Sequence, residues 1–121
     1  MDKKLLIADD SLFMRTLVKS LVLKDFSFTI IEASNGAEAV AKYKATNPDL
    51  VILDITMPEV NGIEALKQIL EINKNAKVIM CSALGGQIII QEALSIGARD
   101  FIVKPYFVNI KEIIENTIKQ T

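Results

Sequence analysis

There is no histidine anywhere in the 121 residues. That removes Ser-His-Asp and Cys-His nucleophilic catalysis, and any zinc site built on imidazole. Cysteine is nearly as scarce. Cys81 stands alone, so no internal disulfide can form and a reducing, cytoplasmic home is the expectation. No apolar run approaches the length needed to cross a bilayer, and Met1-Asp2-Lys3-Lys4 leads straight into a strand pattern rather than a signal peptide. Nor is there an excess of charge of one sign. The formal net charge is −1, with acids and bases mixed along the chain, which leaves no basic face for nucleic acid. What is there is a chain 50% hydrophobic and 24% charged, the balance of a soluble globular protein. Its length suits one core and one domain, expected to span residues 1–121 as a monomer.

Leu50-Val51-Ile52-Leu53-Asp54-Ile55-Thr56-Met57-Pro58 organises the rest. Four apolar residues running into one carboxylate read as a strand buried on both faces, with Asp54 emerging at its carboxyl end. Shorter runs of the same kind lie at Lys4–Ala8, Phe28–Ala33, Ala76–Cys81 and Asp100–Val103. Helical spacing fills the gaps. Met14, Leu17, Val18, Leu21 and Val22 follow an N-cap at Asp10 or Ser11. Ala37, Val40 and Ala41 are expected inward on a second helix over 37–45, and Ile63, Leu66 and Leu70 on a third after Asn61-Gly62. Gly85-Gly86 permits a turn before a fourth helix from Gln87 to Ile96, closed by Gly97. Ile110, Ile113, Ile114, Thr117 and Ile118 mark the fifth. Five rounds of strand then helix predict an α/β fold, a parallel sheet with helices on both faces.

In a parallel sheet all carboxyl ends share one rim, which is where open α/β folds bind ligands. The first strand brings Asp9 and Asp10 there, the third Asp54, the fourth Ser82 and the fifth Lys104. The second, ending at Ala33-Ser34, brings nothing charged. Each residue alone has a plainer reading: Asp9 and Asp10 as helix caps, Ser82 as a loop serine, Lys104 as a solvated lysine, Pro105 after an ordinary trans bond. Together they are harder to explain as caps. Three neighbouring carboxylates repel unless a cation sits among them, and an all-oxygen donor set suits Mg²⁺. Carboxylate-held Mg²⁺ beside one nucleophilic carboxylate describes phosphoryl transfer to Asp54. Lys104, the Ser82 hydroxyl and the Ala83 backbone N–H would then meet the phosphoryl oxygens.

Asp9-Asp10, Asp54 with Met57-Pro58 and Asn61-Gly62, Ser82-Ala83, Gly97-Ala98 and Lys104-Pro105 resemble the receiver domain of two-component response regulators, over the whole chain from Lys4 onward. The resemblance implies a flavodoxin-like (βα)5 fold with strand order 2-1-3-4-5. It also implies that Asp54 accepts a phosphoryl group from the phosphohistidine of a sensor histidine kinase. Asp10, Asp54 and the Thr56 carbonyl would hold Mg²⁺, with Asp9 acting through water. Phe101 would be the aromatic that changes rotamer as Ser82 moves, although many relatives carry a hydroxyl at this position. The switch would catalyse only its own phosphorylation and dephosphorylation.

Ile88-Ile89-Ile90 points independently to an interaction face, because three successive helical residues cannot all face one core. Cys81-Ser82-Ala83-Leu84-Gly85 and the Asp54–Gly62 and Asp100–Pro105 strings look most like stand-alone chemotaxis regulators of the CheY type, and Phe13-Met14-Arg15 adds to the likeness. That implies a flagellar motor switch protein as the partner of helix four, strand five and helix five. The alternatives are a phosphorelay intermediate or the receiver part of a longer regulator. Thr56 and apolar Leu84 flank the expected path of the hydrolytic water, so slow self-hydrolysis and an auxiliary phosphatase are expected. Haloacid-dehalogenase-type phosphohydrolases share much of this set but carry an acid/base Asp two residues after the nucleophile, where this chain has Thr56. A flavin phosphate would be repelled by the three acids.

Overall fold

The computed structural model describes residues 2–83 and 86–120. Ten elements alternate along them: β1 (Lys3–Ala8), α1 (Leu12–Leu23), β2 (Phe28–Ala33), α2 (Gly36–Thr46), β3 (Leu50–Asp54), α3 (Gly62–Ile72), β4 (Val78–Ala83), α4 (Gln87–Ile96), β5 (Asp100–Lys104) and α5 (Ile110–Lys119). All strand pairs are parallel, in the order β2-β1-β3-β4-β5. This is the expected flavodoxin-like arrangement, and the strand and helix order matches the sequence reading throughout. No helix among the described residues is long and apolar enough to cross a membrane.

Side-chain parity divides the core, since alternate strand residues face opposite sides of a sheet. Leu6, Ala8, Val51, Leu53 and Met80 pack with α2, α3 and α4. Leu5, Ile7, Leu50, Ile52, Ile79, Cys81 and Ile102 pack with Val18 and Val22 of α1 and Ile114 of α5. β3 lies at the centre, with every residue buried.

Three helices start on a side-chain cap. Ser11 Oγ accepts from the Met14 N–H at 3.2 Å, Asn35 Oδ1 from Glu38 at 2.8 Å and Asn61 Oδ1 from Glu64 at 3.0 Å. Such bonds satisfy donors that a helix cannot satisfy itself. α4 has no such cap at Gly86. The inward face of α2 differs from expectation. Ala37 and Ala41 are exposed, and the buried stripe is Gly36, Ala39, Val40 and Tyr43. The Asn35 cap sets the helix phase, and the i, i+3, i+4, i+7 row through Gly36 and Tyr43 then meets the sheet. On α3, Ala65, Leu66 and Ile69 are buried, while Ile63 and Leu70 pack at the margin.

Two glycines lock the β3–α3 connection in place. A Cβ on Gly36 would lie 1.8 Å from the Val60 carbonyl oxygen, and one on Gly62 would lie 2.1 Å from that of Asp54. The loop carrying Thr56, Met57 and Pro58 is therefore held by backbone-to-backbone contact at both ends. The Lys104–Pro105 bond is cis, the less common of the two forms open to an X-Pro bond.

Candidate functional site

Asp9, Asp54 and Lys104 each stand two residues beyond an inward-facing neighbour on the α1/α5 side: Ile7, Ile52 and Ile102. Parity brings these three side chains to one side of the rim. Lys104 Nζ sits 3.0 Å from Asp9 Oδ2 and 3.1 Å from Asp54 Oδ1. Asp10 is exposed, but its carboxylate joins the group: Asp9, Asp10 and Asp54 each offer an oxygen, all within 4.8 Å of one another. One ammonium thus pairs with two of three clustered carboxylates.

Burial makes this balance matter. The side chain of Asp54 is 4% exposed and that of Asp9 7%. Burial and the nearby Asp9 charge raise the pKa of Asp54 above its ordinary value, against the opposing pull of Lys104 and of the Thr56 backbone N–H. For Lys104, burial alone would lower the pKa, but the hydrogen bonds to Asp9 and Asp54 win and hold it above its ordinary value. Cys81 pairs with Asp54 in the β3–β4 register, and burial pushes its thiol up to about 12. It is therefore an inert core residue, not a second nucleophile.

Ser82 is not part of this group. It follows Met80 on the opposite side of the sheet, and its Oγ donates to the Ala83 carbonyl at 3.1 Å. Gly86 leaves it room, since a Cβ there would come within 2.5 Å of that hydroxyl. Phe101 shares this side, is half-buried, and lines a cavity of about 470 Å³ with Ala83, Gly86, Ile90, Leu94 and Val103. Thr56 and Pro105 are exposed. Ile88 is 84% exposed, Ile89 43% and Ile90 7%, so the triple isoleucine does leave apolar surface in solvent. Leu84 lies outside the described residues. Sequence reasoning did not place Arg15 or Glu32 at the site, where they pair at 2.9 Å beside Asp9. Only the three-dimensional meeting of α1 with β2 reveals that pair.

The donor set fits a hard divalent cation. It is all oxygen, clustered, short of positive charge, and open to water on the Asp10 side, which matches the preference of Mg²⁺ for few protein ligands and retained waters. Residues 5–117 match the response regulator receiver domain. The chain belongs to that family. As a receiver it is 53% identical over 106 residues to the chemotaxis protein CheY of Thermotoga maritima, covering 88% of each chain. It is 52% identical over 118 residues to CheY of Listeria monocytogenes, covering 96% of this chain and 98% of that one. A crystal structure of the CheX–CheY–BeF3–Mg²⁺ complex from Borrelia burgdorferi aligns with a TM-score of 0.88 at 40% identity, covering 98% of this chain and 90% of that one. The protein is a CheY-like receiver of a two-component system.

Proposed function

We propose that this receiver is the phospho-accepting switch of a chemotaxis pathway. The observation that carries the reading is the nearly buried Asp54 carboxylate, with the Lys104 ammonium at 3.1 Å and two further carboxylates in its cluster. Asp54 attacks the phosphorus of a phosphohistidine on a sensor histidine kinase; the P–N bond breaks and the imidazole leaves with the electron pair. The donor histidine must come from a partner, since this chain has none. Asp10, Asp54 and the Thr56 carbonyl would hold Mg²⁺, with Asp9 helping through water. When bound, the ion offsets the negative charge of the carboxylates and of the incoming phosphoryl group.

Lys104 is already placed to follow a phosphoryl oxygen, because it bridges Asp9 and Asp54. The new group adds roughly −1.5 to −2 charge at one point, which draws the ammonium away from Asp9. A second oxygen is taken by the Ser82 hydroxyl and the Ala83 N–H, for which Ser82 must give up the Ala83 carbonyl. Phe101 lines the adjacent cavity and turns into the space released. This alters the α4–β5–α5 face, where Ile88, Ile89 and Pro105 are exposed, and the altered face binds a flagellar motor switch protein. The Borrelia CheY is in complex with CheX; we assign this chain an auxiliary phosphatase as the corresponding partner.

Two measurements test the reading. Incubation with acetyl phosphate and Mg²⁺ should label Asp54 covalently, and Asp54→Ala should abolish the label. Binding to an amino-terminal peptide of a motor switch protein should tighten with beryllofluoride and Mg²⁺, but not in Asp54→Ala. An unlabelled Asp54 overturns the acceptor assignment; labelling without peptide binding moves the output from motor to phosphorelay.

A further inference from the structure

β2 brings no charge to the rim, yet its Glu32 reaches the site through Arg15. The side chain of Arg15 is 14% exposed, with Nε 2.9 Å from Glu32 Oε1 and Nη1 2.7 Å from the Asp9 carbonyl oxygen. That carbonyl belongs to the peptide joining Asp9 to Asp10. Holding its plane sets the direction in which Asp10 leaves the backbone. The rest of Asp9 is equally committed. Its N–H donates to the Ala33 carbonyl at 3.0 Å, Oδ1 accepts from the Ser11 N–H at 2.9 Å, and Oδ2 accepts from Lys104 at 3.0 Å. Asp10 is exposed, and among the described residues no hydrogen bond holds its side chain. Its aim depends on the peptide before it.

We propose that Arg15, clamped by Glu32, is a positioning residue for the divalent-cation site, orienting the Asp9–Asp10 peptide so that the Asp10 carboxylate meets those of Asp9 and Asp54. This rests on the phosphoacceptor reading above. The pairing with Glu32 has its own purpose. An unpaired guanidinium beside three carboxylates would compete with the cation, whereas the ion pair presents the fork without excess positive charge. The planar arginine fork reaches the carboxylate and the carbonyl through two separate nitrogens at fixed angles, whereas a lysine meets its partners through a single rotatable ammonium and fixes neither direction.

The test is calorimetric titration of Mg²⁺ into the protein without phosphodonor. Arg15→Met adds net negative charge near the site, so a purely electrostatic role for Arg15 would tighten Mg²⁺ binding. A positioning role weakens it, and the expected loss is about 10-fold, the lower end of what removing an outer-shell partner costs a metal site. Arg15→Lys should recover little of this, and Glu32→Gln, which keeps the fold's packing, should also weaken binding. Lys42→Met is the control. Lys42 bonds the Glu32 carbonyl and pairs with Glu38 without touching Asp9, so its loss should leave Mg²⁺ affinity unchanged. Unchanged or tighter binding in Arg15→Met, full recovery by Arg15→Lys, or an equal loss in Lys42→Met overturns the assignment. Failure of the unaltered protein to bind Mg²⁺ overturns the phosphoacceptor reading as well, which distinguishes the two failures.

Discussion

The two rims of the sheet are built from similar polar residues and behave differently. At the amino-terminal rim, Asp49 accepts from the Lys4 backbone N–H at 2.7 Å, Lys4 Nζ reaches the Thr46 carbonyl at 3.1 Å and Lys77 Nζ reaches the Ile118 carbonyl at 2.8 Å. Each of these three charges has a backbone partner of its own, and Asp49 and Lys4 lie in solvent. At the carboxyl-terminal rim, Asp9 and Asp54 are buried and share one ammonium. The first arrangement ties strands to helices. The second leaves like charges close together where water screens them poorly, and that surplus is what a divalent cation can use.

The sharpest way to break the contrast is steric. Gly62→Ala would press a methyl group into the Asp54 carbonyl, 2.1 Å away. We expect a loss of about 3 kcal/mol in urea unfolding, at the upper end of overpacking costs because backbone cannot step aside, with Mg²⁺ binding weakened in the same variant. Lys104→Met comes next. It leaves Asp9 and Asp54 without their shared cation, and should cost about 2 kcal/mol in EDTA, below the usual loss for a broken buried pair because Asp54 can escape by protonation. Added Mg²⁺ should shrink that deficit; a deficit indifferent to Mg²⁺ would mean that the lysine acts only through packing.

A smaller effect concerns pH. Asp54 has its pKa raised in the folded protein, chiefly by burial. Such a group binds its proton more tightly folded than unfolded, so its contribution to stability is full below the unfolded pKa and is lost as pH rises through the folded one. Measured in EDTA, the stability of Asp54→Asn relative to the unaltered protein should therefore grow as pH rises from the ordinary carboxylate range through the raised Asp54 value, then level off. A flat difference across that range would remove the strain assigned to this rim. The smallest effect belongs to the opposite rim. Asp49→Asn keeps an oxygen to accept the Lys4 N–H, and should change stability by less than about 0.5 kcal/mol, as expected for an exposed polar substitution, with no change in Mg²⁺ affinity.

Much of this was legible in the sequence where one pattern dominated. The continuous apolar run into Asp54 and the limits of α4 at Gln87, Ile96 and Gly97 needed no tertiary information, because burial on both faces and a glycine stop leave direct marks. α2 was harder. Its alanines at 37, 39, 41 and 45 give almost no contrast between faces, and only Val40, Tyr43 and the Asn35 cap distinguish the buried row. The rim residues were legible as a set, but not their sides. Strand parity separates Ser82 from Asp9, Asp54 and Lys104, and parity becomes visible only once Ile7, Ile52 and Ile102 are known to share a face. Glu32 left no signal, and Arg15 stood out only within Phe13-Met14-Arg15 as part of a family likeness; neither is marked as a neighbour of Asp9 until α1 crosses β2.

The hydrogen bond from Lys104 to Asp9 joins residues 95 positions apart. On the ribosome, the acidic turn and Asp54 emerge early, and β1, β2 and β3 can pair before α4 exists. The ammonium arrives only when β5 has left the exit tunnel and docked beside β4. Until then the nascent chain carries Asp9 and Asp54 without the ammonium that they share. The charge balance of this rim is thus completed in a single late event, after the central strands have paired.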